Sequence, residues 1–269
     1  MNEDGVEFVE LEWQGRALTI EYQWTGEASA ARPLLVFLHE GLGSLAMWKD
    51  FPQRLCAVLG CRGLLYSRPG YGRSTPRRPD ESWGVDFMHR QARELLPRLL
   101  QALGIDTVAS PPWLFGHSDG ASIALLYAAI YPQRVGGLIL LAPHIMVEDI
   151  CIDSIEQARA AYRETDLRQK LASYHDDPDS AFWGWNDIWL HPDFRRWSIE
   201  AELDSIRCPL LAVQGVDDEY GTLEQVRGIA RRVAQAQIVE MPNCRHSPHR
   251  DQAQALIDLV GHFYPAGGE

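Results

Sequence analysis

The sequence predicts an α/β protein built on a mostly parallel central sheet of about eight strands flanked by helices. Three observations carry that expectation. Short runs such as Leu34-Leu35-Val36-Phe37-Leu38 are continuously apolar, the texture of strands covered on both faces. Segments with helical period separate these runs, so strand and helix alternate as in βαβ units. Composition allows a full core, because 46% of the 269 residues are hydrophobic and 23% are charged, which rules out disorder as the main state.

Taken in order, the chain begins with acidic Met1-Asn2-Glu3-Asp4-Gly5 and no apolar segment behind it, so it does not read as a secretory leader. Residues 6–13 and 17–24 alternate apolar and polar side chains around Gln14-Gly15, the pattern of a half-buried antiparallel hairpin. A small-residue link at 26–32 follows. The apolar runs then recur at 34–38, 64–66, 113–115, 138–141 and 210–213, with a further strand expected at 237–241. Helical period marks 48–59, 87–103, 121–131, 223–234 and 253–263. One interval breaks the rhythm: residues 145–207 hold no continuous apolar strand, are acidic, and carry Trp183, Trp185, Trp189 and Trp197. They read as a helical cap inserted after the sixth strand, leaving residues 1–144 and 208–269 as the core domain.

Charge excludes some partners. The chain has 25 Lys and Arg against 37 Asp and Glu, a net charge of -12, and no basic run, which disfavours nucleic acid and anionic membranes. No apolar stretch reaches the roughly 18 residues that span a bilayer. The expectation is a cytoplasmic protein with a small-molecule substrate, and a homodimer is compatible with it. Five cysteines without CxxC spacing read as reduced structural thiols.

The sharpest motif is Gly116-His117-Ser118-Asp119-Gly120, directly after the run ending in Phe115 and directly before the helical segment at 121. A serine on a tight strand-to-helix turn projects its hydroxyl above the sheet, and the helix N-terminus supplies N–H donors for developing negative charge. With His39-Glu40-Gly41-Leu42-Gly43-Ser44, Ser67-Arg68-Pro69-Gly70-Tyr71-Gly72-Arg73-Ser74 and the late acidic and histidine segments, the chain resembles the α/β-hydrolase fold superfamily over nearly its whole length. The resemblance implies the α/β-hydrolase fold, with Ser118 as nucleophile and the chain order Ser, Asp, His.

A serine hydroxyl needs a general base, and the base needs an acid to orient it. The strand at 210–213 ends in Gly215-Val216-Asp217-Asp218-Glu219, where the family's Gly-x-x-Asp spacing selects Asp218 over its rival Asp217, and Glu219 reads as part of a solvated acidic turn. By resemblance the base is His246, with His249 as rival. Arg245 stands where relatives usually carry glycine, which is expected to lower the titration of His246. The family's oxyanion hole maps to the backbone N–H groups of Gly41 and Asp119. Glu40 occupies a usual glycine position and is expected to act as a structural acceptor. His39, His89, His117, His144, His175, His191 and His262 are read as structural or surface residues, His39 and His117 as braces beside the site. No spacing suggests a metal. His39, Trp185 and Trp189 are the candidate pocket lining, the two tryptophans lying on one helix face at i, i+4; most cap rings are expected to serve packing.

The function implied is a serine hydrolase of a small to medium carboxylic ester, thioester or lactone, with no cofactor. The alternative is a C–C bond hydrolase of the meta-cleavage-product type, whose Gly-Asn-Ser-x-Gly elbow is not matched at His117. A second alternative is a receptor-like member with slow turnover. Dehalogenases and epoxide hydrolases of this fold would place Asp where Ser118 stands.

Overall fold

In the computed structural model, which describes residues 5–27 and 32–265, the chain opens with an antiparallel hairpin of β1 (Val6–Trp13) and β2 (Arg16–Gly26). Gln14 and Gly15 join the strands with φ of 53° and 70°, the two left-handed residues that a hairpin loop of matching twist requires. The acidic stretch at 1–4 and residues 28–31 of the expected link lie outside the described residues.

The chain then alternates through β3 (Leu35–Leu38), α1 (Phe51–Leu59), β4 (Arg62–Tyr66), α2 (Phe87–Arg90), α3 (Leu96–Ala102), β5 (Trp113–His117), α4 (Asp119–Ile130) and β6 (Gly137–Leu141). A helical interval follows, with α5 (Asp149–Glu164), α6 (Leu167–Leu171) and α7 (Pro178–Trp189). The chain closes with β7 (Leu210–Gly215), α8 (Glu224–Arg232), β8 (Ala236–Met241), α9 (Pro248–Asp251) and α10 (Ala253–Phe263). The sheet order is β1-β2-β4-β3-β5-β6-β7-β8, antiparallel from β1 through β2 to β4 and parallel from there on. The expected eight-stranded, mostly parallel sheet is therefore present.

The apolar runs are explained by what covers them. Val36, Leu38, Leu64, Leu114, Leu138 and Leu140 point to one face, where Leu96, Leu99, Ile123 and Leu126 pack on them. Their neighbours Leu35, Phe37, Leu65, Phe115, Ile139 and Leu141 point to the other, against Leu55, Leu59, Leu256 and Val260. Both residues of each strand dipeptide are thus apolar, and alternation disappears. Helix α4 is buried from Asp119 to Ala128, as a helix apolar on all sides should be.

Two expected helices differ in detail. The segment at 48–59 starts its α-helix only at Phe51, because Pro52 fits a first turn and Lys49 adopts φ of 55° after a short 3₁₀ turn at Leu45–Trp48. The segment at 87–103 is interrupted by a π-turn over Gln91–Leu95. Pro97 has no N–H to continue the α pattern, and the wider turn absorbs the missing bond.

The helical interval lies between β6 and β7, which are parallel neighbours in the sheet. Part of its aromatic content packs on itself: Tyr162 stacks on Phe182 at 3.7 Å between ring centres, and Phe194 on Trp197 at 5.2 Å. Several side chains tie it to the core, among them Ser154, whose Oγ donates to the Glu219 carbonyl at 2.5 Å. His175 accepts from the Gly72 N–H at 2.9 Å and donates to the Leu42 carbonyl at 3.1 Å. Ser180 Oγ donates to the Gly70 carbonyl at 3.2 Å, and Trp189 Nε1 donates to Asp119 Oδ1 at 3.2 Å.

Candidate active site

The strand order reverses between β3 and β5, whose chain neighbours lie on opposite sides of the pair, and a crevice is expected at the carboxyl ends of such strands. Ser118 sits there, between β5 and α4, with φ of 52° and ψ of -119°. A non-glycine residue is strained in this region, so the turn must be held from outside. Its N–H donates to the Leu141 carbonyl at 2.9 Å. The flanking glycines are sterically required: a Cβ on Gly116 would overlap the backbone of Ala121, and one on Gly120 the carbonyl of Leu38. The motif's two glycines therefore let the elbow close against its own helix and against β3.

A cavity of about 320 Å³ opens over this turn. Ser118, Asp119, Gly41, His246, Trp185 and Trp189 all line it. Asp218 is buried behind His246, while Asp217 is exposed, so the structure brings Asp218 to the histidine and leaves its neighbour in solvent. His246 Nδ1 lies 2.8 Å from Asp218 Oδ1, which also accepts from the Tyr220 N–H at 2.8 Å. Gln214 Nε2 donates to the other carboxylate oxygen at 3.1 Å. Burial pushes the Asp218 carboxyl up, but the charge and hydrogen bond of His246 outweigh it and the group titrates below the ordinary range. Among the described residues no hydrogen bond joins Ser118 Oγ to His246. His249 does not line this cavity; its ring is buried against Trp48, Phe51 and His117, and among the described residues neither nitrogen has a hydrogen-bond partner.

Three expectations need correction. His39 is not pocket lining. It is fully buried, its Nδ1 donates to the Glu40 carbonyl at 2.7 Å and its Nε2 accepts from the Arg68 N–H at 3.0 Å, so both nitrogens hold loops. Glu219 is not merely solvated, because it lines the cavity and its Oε2 accepts from the His246 N–H at 3.3 Å. His246 titrates above the ordinary histidine value, not below it. Burial alone would lower it, but Asp218, Glu219 and Glu40 together prevail, and Arg245 turns to an ion pair with Glu219 at 3.1 Å. Glu40 is structural as expected, yet it also lines the cavity. Its carboxylate meets Arg250 Nη2 at 3.1 Å and approaches His117 Nδ1 at 3.4 Å, linking the loop after β3 to α9 and to the end of β5.

The other expected brace, His117, donates from Nε2 to the His246 carbonyl at 2.8 Å and so steadies the histidine loop. Asp119 is buried with Arg68 Nη2 3.7 Å away; burial raises its pKa despite that cation and the Trp189 bond. Gly41 packs so close to the Trp185 indole that a Cβ would not fit. The sequence reading missed His144, Tyr220 and Arg250 as cavity residues. For His144 a signal existed: it lies three residues past the end of the apolar strand β6, at the sheet edge where ligands bind. Tyr220 sits on a bend after β7 and Arg250 in the short helix α9, and no local pattern reveals the direction of either.

Among the described residues no group of His, Cys, Asp and Glu side chains is arranged to hold a metal ion, and no helix is long and apolar enough to cross a membrane. The cysteines are all free and buried.

Comparison with known proteins agrees with this architecture. A 2-hydroxy-6-oxo-6-phenylhexa-2,4-dienoate hydrolase of Burkholderia cepacia is 24% identical, over 87% of this chain and 88% of its own. A human serine hydrolase is 26% identical, over 91% of this chain and 82% of its own. A thermophilic esterase structure from Thermogutta terrifontis superposes with a TM-score of 0.72 at 18% identity, covering 96% of this chain and 97% of that one. The model of the alpha/beta hydrolase family matches residues 35–259, which takes in β3 through most of α10 and with them Ser118, Asp218 and His246, and the chain belongs to that family.

Proposed function

We propose that this hydrolase cleaves a small to medium carboxylic ester, thioester or lactone by way of an acyl-enzyme on Ser118. The observation that carries the reading is the shared cavity of Ser118 and His246, with His246 Nδ1 bonded to a buried Asp218. That bond leaves Nε2 as the basic nitrogen. Ser118 Oγ gives its proton to Nε2 as it attacks the carbonyl carbon. The N–H groups of Gly41 and Asp119 receive the oxyanion, and His246 then passes the proton to the leaving oxygen or sulfur. Water, deprotonated by the same histidine, releases the acid and restores the serine. Residues 145–207 act as a cap over the core formed by 1–144 and 208–269, and supply Trp185 and Trp189 to the cavity.

The relative from Burkholderia cepacia favours the second reading, hydrolysis of a C–C bond in a dienoate. The cavity's charge favours the ester. A dienoate brings a carboxylate, and among the described residues Arg250 is the one Arg or Lys lining the cavity, already paired with Glu40, while Glu219 and Asp119 add carboxyl groups. Aryl esters of increasing acyl length, thioesters and a meta-cleavage dienoate, turned over by wild type and Ser118→Ala, test both readings. The ester reading expects turnover of esters well above the dienoate, and a loss of roughly 10³-fold or more in Ser118→Ala. Faster dienoate cleavage would select the C–C reading. Tight binding without turnover across the panel would select the receptor-like one.

A further inference from the structure

His144 is a buried polar group that the fold fixes and leaves without a partner. It follows Ala142, whose φ of 44° marks a strained turn at the end of β6. Ser122 clamps its backbone twice, donating from Oγ to the His144 carbonyl at 2.6 Å and accepting from the His144 N–H at 3.2 Å. The ring is 2% exposed, 5.0 Å from the ring of Trp189 and 5.7 Å from that of His246. Yet Nδ1 is sealed from solvent with no hydrogen bond, and among the described residues Nε2 bonds to nothing either, while the side chain lines the cavity. A stranded buried polar group costs about 1–3 kcal/mol, so an arrangement this well held points to a partner that arrives with the substrate.

The ring's state follows from its surroundings. Burial and the neighbouring His246 hold it at a pKa of about 3, so it is neutral wherever the site works. A neutral imidazole has one N–H. Placing it on Nδ1 would strand a donor in a sealed position, whereas placing it on Nε2 aims it at the one ring nitrogen that the cavity can reach. His144 also has a definite side of the site. His246 protonates the departing oxygen, so the alcohol portion leaves past His246 and beside His144. The acyl portion is left to Leu42 and Trp185, next to Gly41.

The geometry points to His144 as a specificity residue whose Nε2–H donates to a second oxygen in the alcohol portion of the substrate, so that esters of alkoxy- or hydroxy-substituted alcohols are preferred to esters of plain alkanols. The inference rests on the serine-hydrolase reading above and deepens it.

Three esters of matched shape test it: butyl butanoate, 2-methoxyethyl butanoate and butyl methoxyacetate. The second replaces one alcohol-side methylene by oxygen, and the third does so on the acyl side. With kcat/KM divided by each ester's alkaline hydrolysis rate, wild type should prefer 2-methoxyethyl butanoate to butyl butanoate. In His144→Phe, which keeps a ring of similar size, that ratio should fall about three- to tenfold, the value of one neutral hydrogen bond. His144→Gln, which carries an N–H donor at comparable reach, should retain most of it. An unchanged ratio in His144→Phe overturns the assignment, as does a loss confined to butyl methoxyacetate. Should His144→Phe fail to fold, the absence of any wild-type preference overturns it as well. Ser118→Ala separates the two layers: persistent turnover there defeats the hydrolase reading, whereas lost turnover with unaltered ester ratios in the His144 variants defeats only the role of His144.

Discussion

In the proposed mechanism the protonation of His246 sets when the site can work. As the proposed general base it must be neutral, so kcat/KM for a neutral ester should rise with pH through its pKa. That midpoint should lie above the ordinary histidine value of 6.5, because Asp218, Glu219 and Glu40 favour the charged ring more than burial disfavours it. Glu219→Gln removes one of these charges and should move the midpoint down, read as the rising limb of a pH–rate profile. A midpoint unmoved or raised would mean that Glu219 does not act on the ring. Asp218→Asn should shift it down as well and lower kcat by about 10⁴-fold, since an amide no longer holds the required tautomer. Arg245 shows why residue-level reading from sequence has a limit. A cation beside an imidazole lowers its pKa only if the two charges face each other, and here Arg245 spends its charge on Glu219.

The elbow depends on close backbone approach, and the interval between β6 and β7 depends on single anchors. In Gly120→Ala the new methyl would press on the Leu38 carbonyl, which belongs to β3 and cannot move without shifting the sheet. A loss of at least about 1–3 kcal/mol in urea unfolding is expected, together with loss of activity. Trp189→Phe keeps an aromatic ring among Phe194, Trp197 and His144 but removes the donor to Asp119 Oδ1. With the Asp119 carboxyl buried, about 1–3 kcal/mol of destabilisation should follow, and a value near zero would show that this anchor is unimportant. The strands were legible in sequence because both faces of the sheet are covered, which erases alternation. The elbow was legible because its chemistry and sterics occupy five consecutive residues. The Glu40, His117 and Arg250 cluster was not, because its members come from the loop after β3, the end of β5 and α9, and meet only in the folded chain. His39 was misplaced for the same reason: sequence sets it beside the site, and only the fold shows both of its nitrogens turned to backbone.

At the scale of the whole molecule, the net charge of -12 and the carboxyl groups of Glu40, Glu219 and Asp119 at the cavity set a potential that opposes anions. Raising ionic strength from about 0.02 M to 0.5 M should screen it. The kcat/KM for a hemisuccinate ester relative to its neutral methyl analogue should then rise, by about two- to fivefold. A flat or falling ratio would show that Arg250 dominates the entrance. All of these outcomes presuppose a covalent role for Ser118, and that can be measured directly. Intact-protein mass spectrometry after mixing with a p-nitrophenyl ester and rapid acid quench should show one added acyl mass, mapped by peptide digestion to Ser118 and absent in Ser118→Ala. An adduct on another residue, or undiminished ester turnover in Ser118→Ala, would contradict the account.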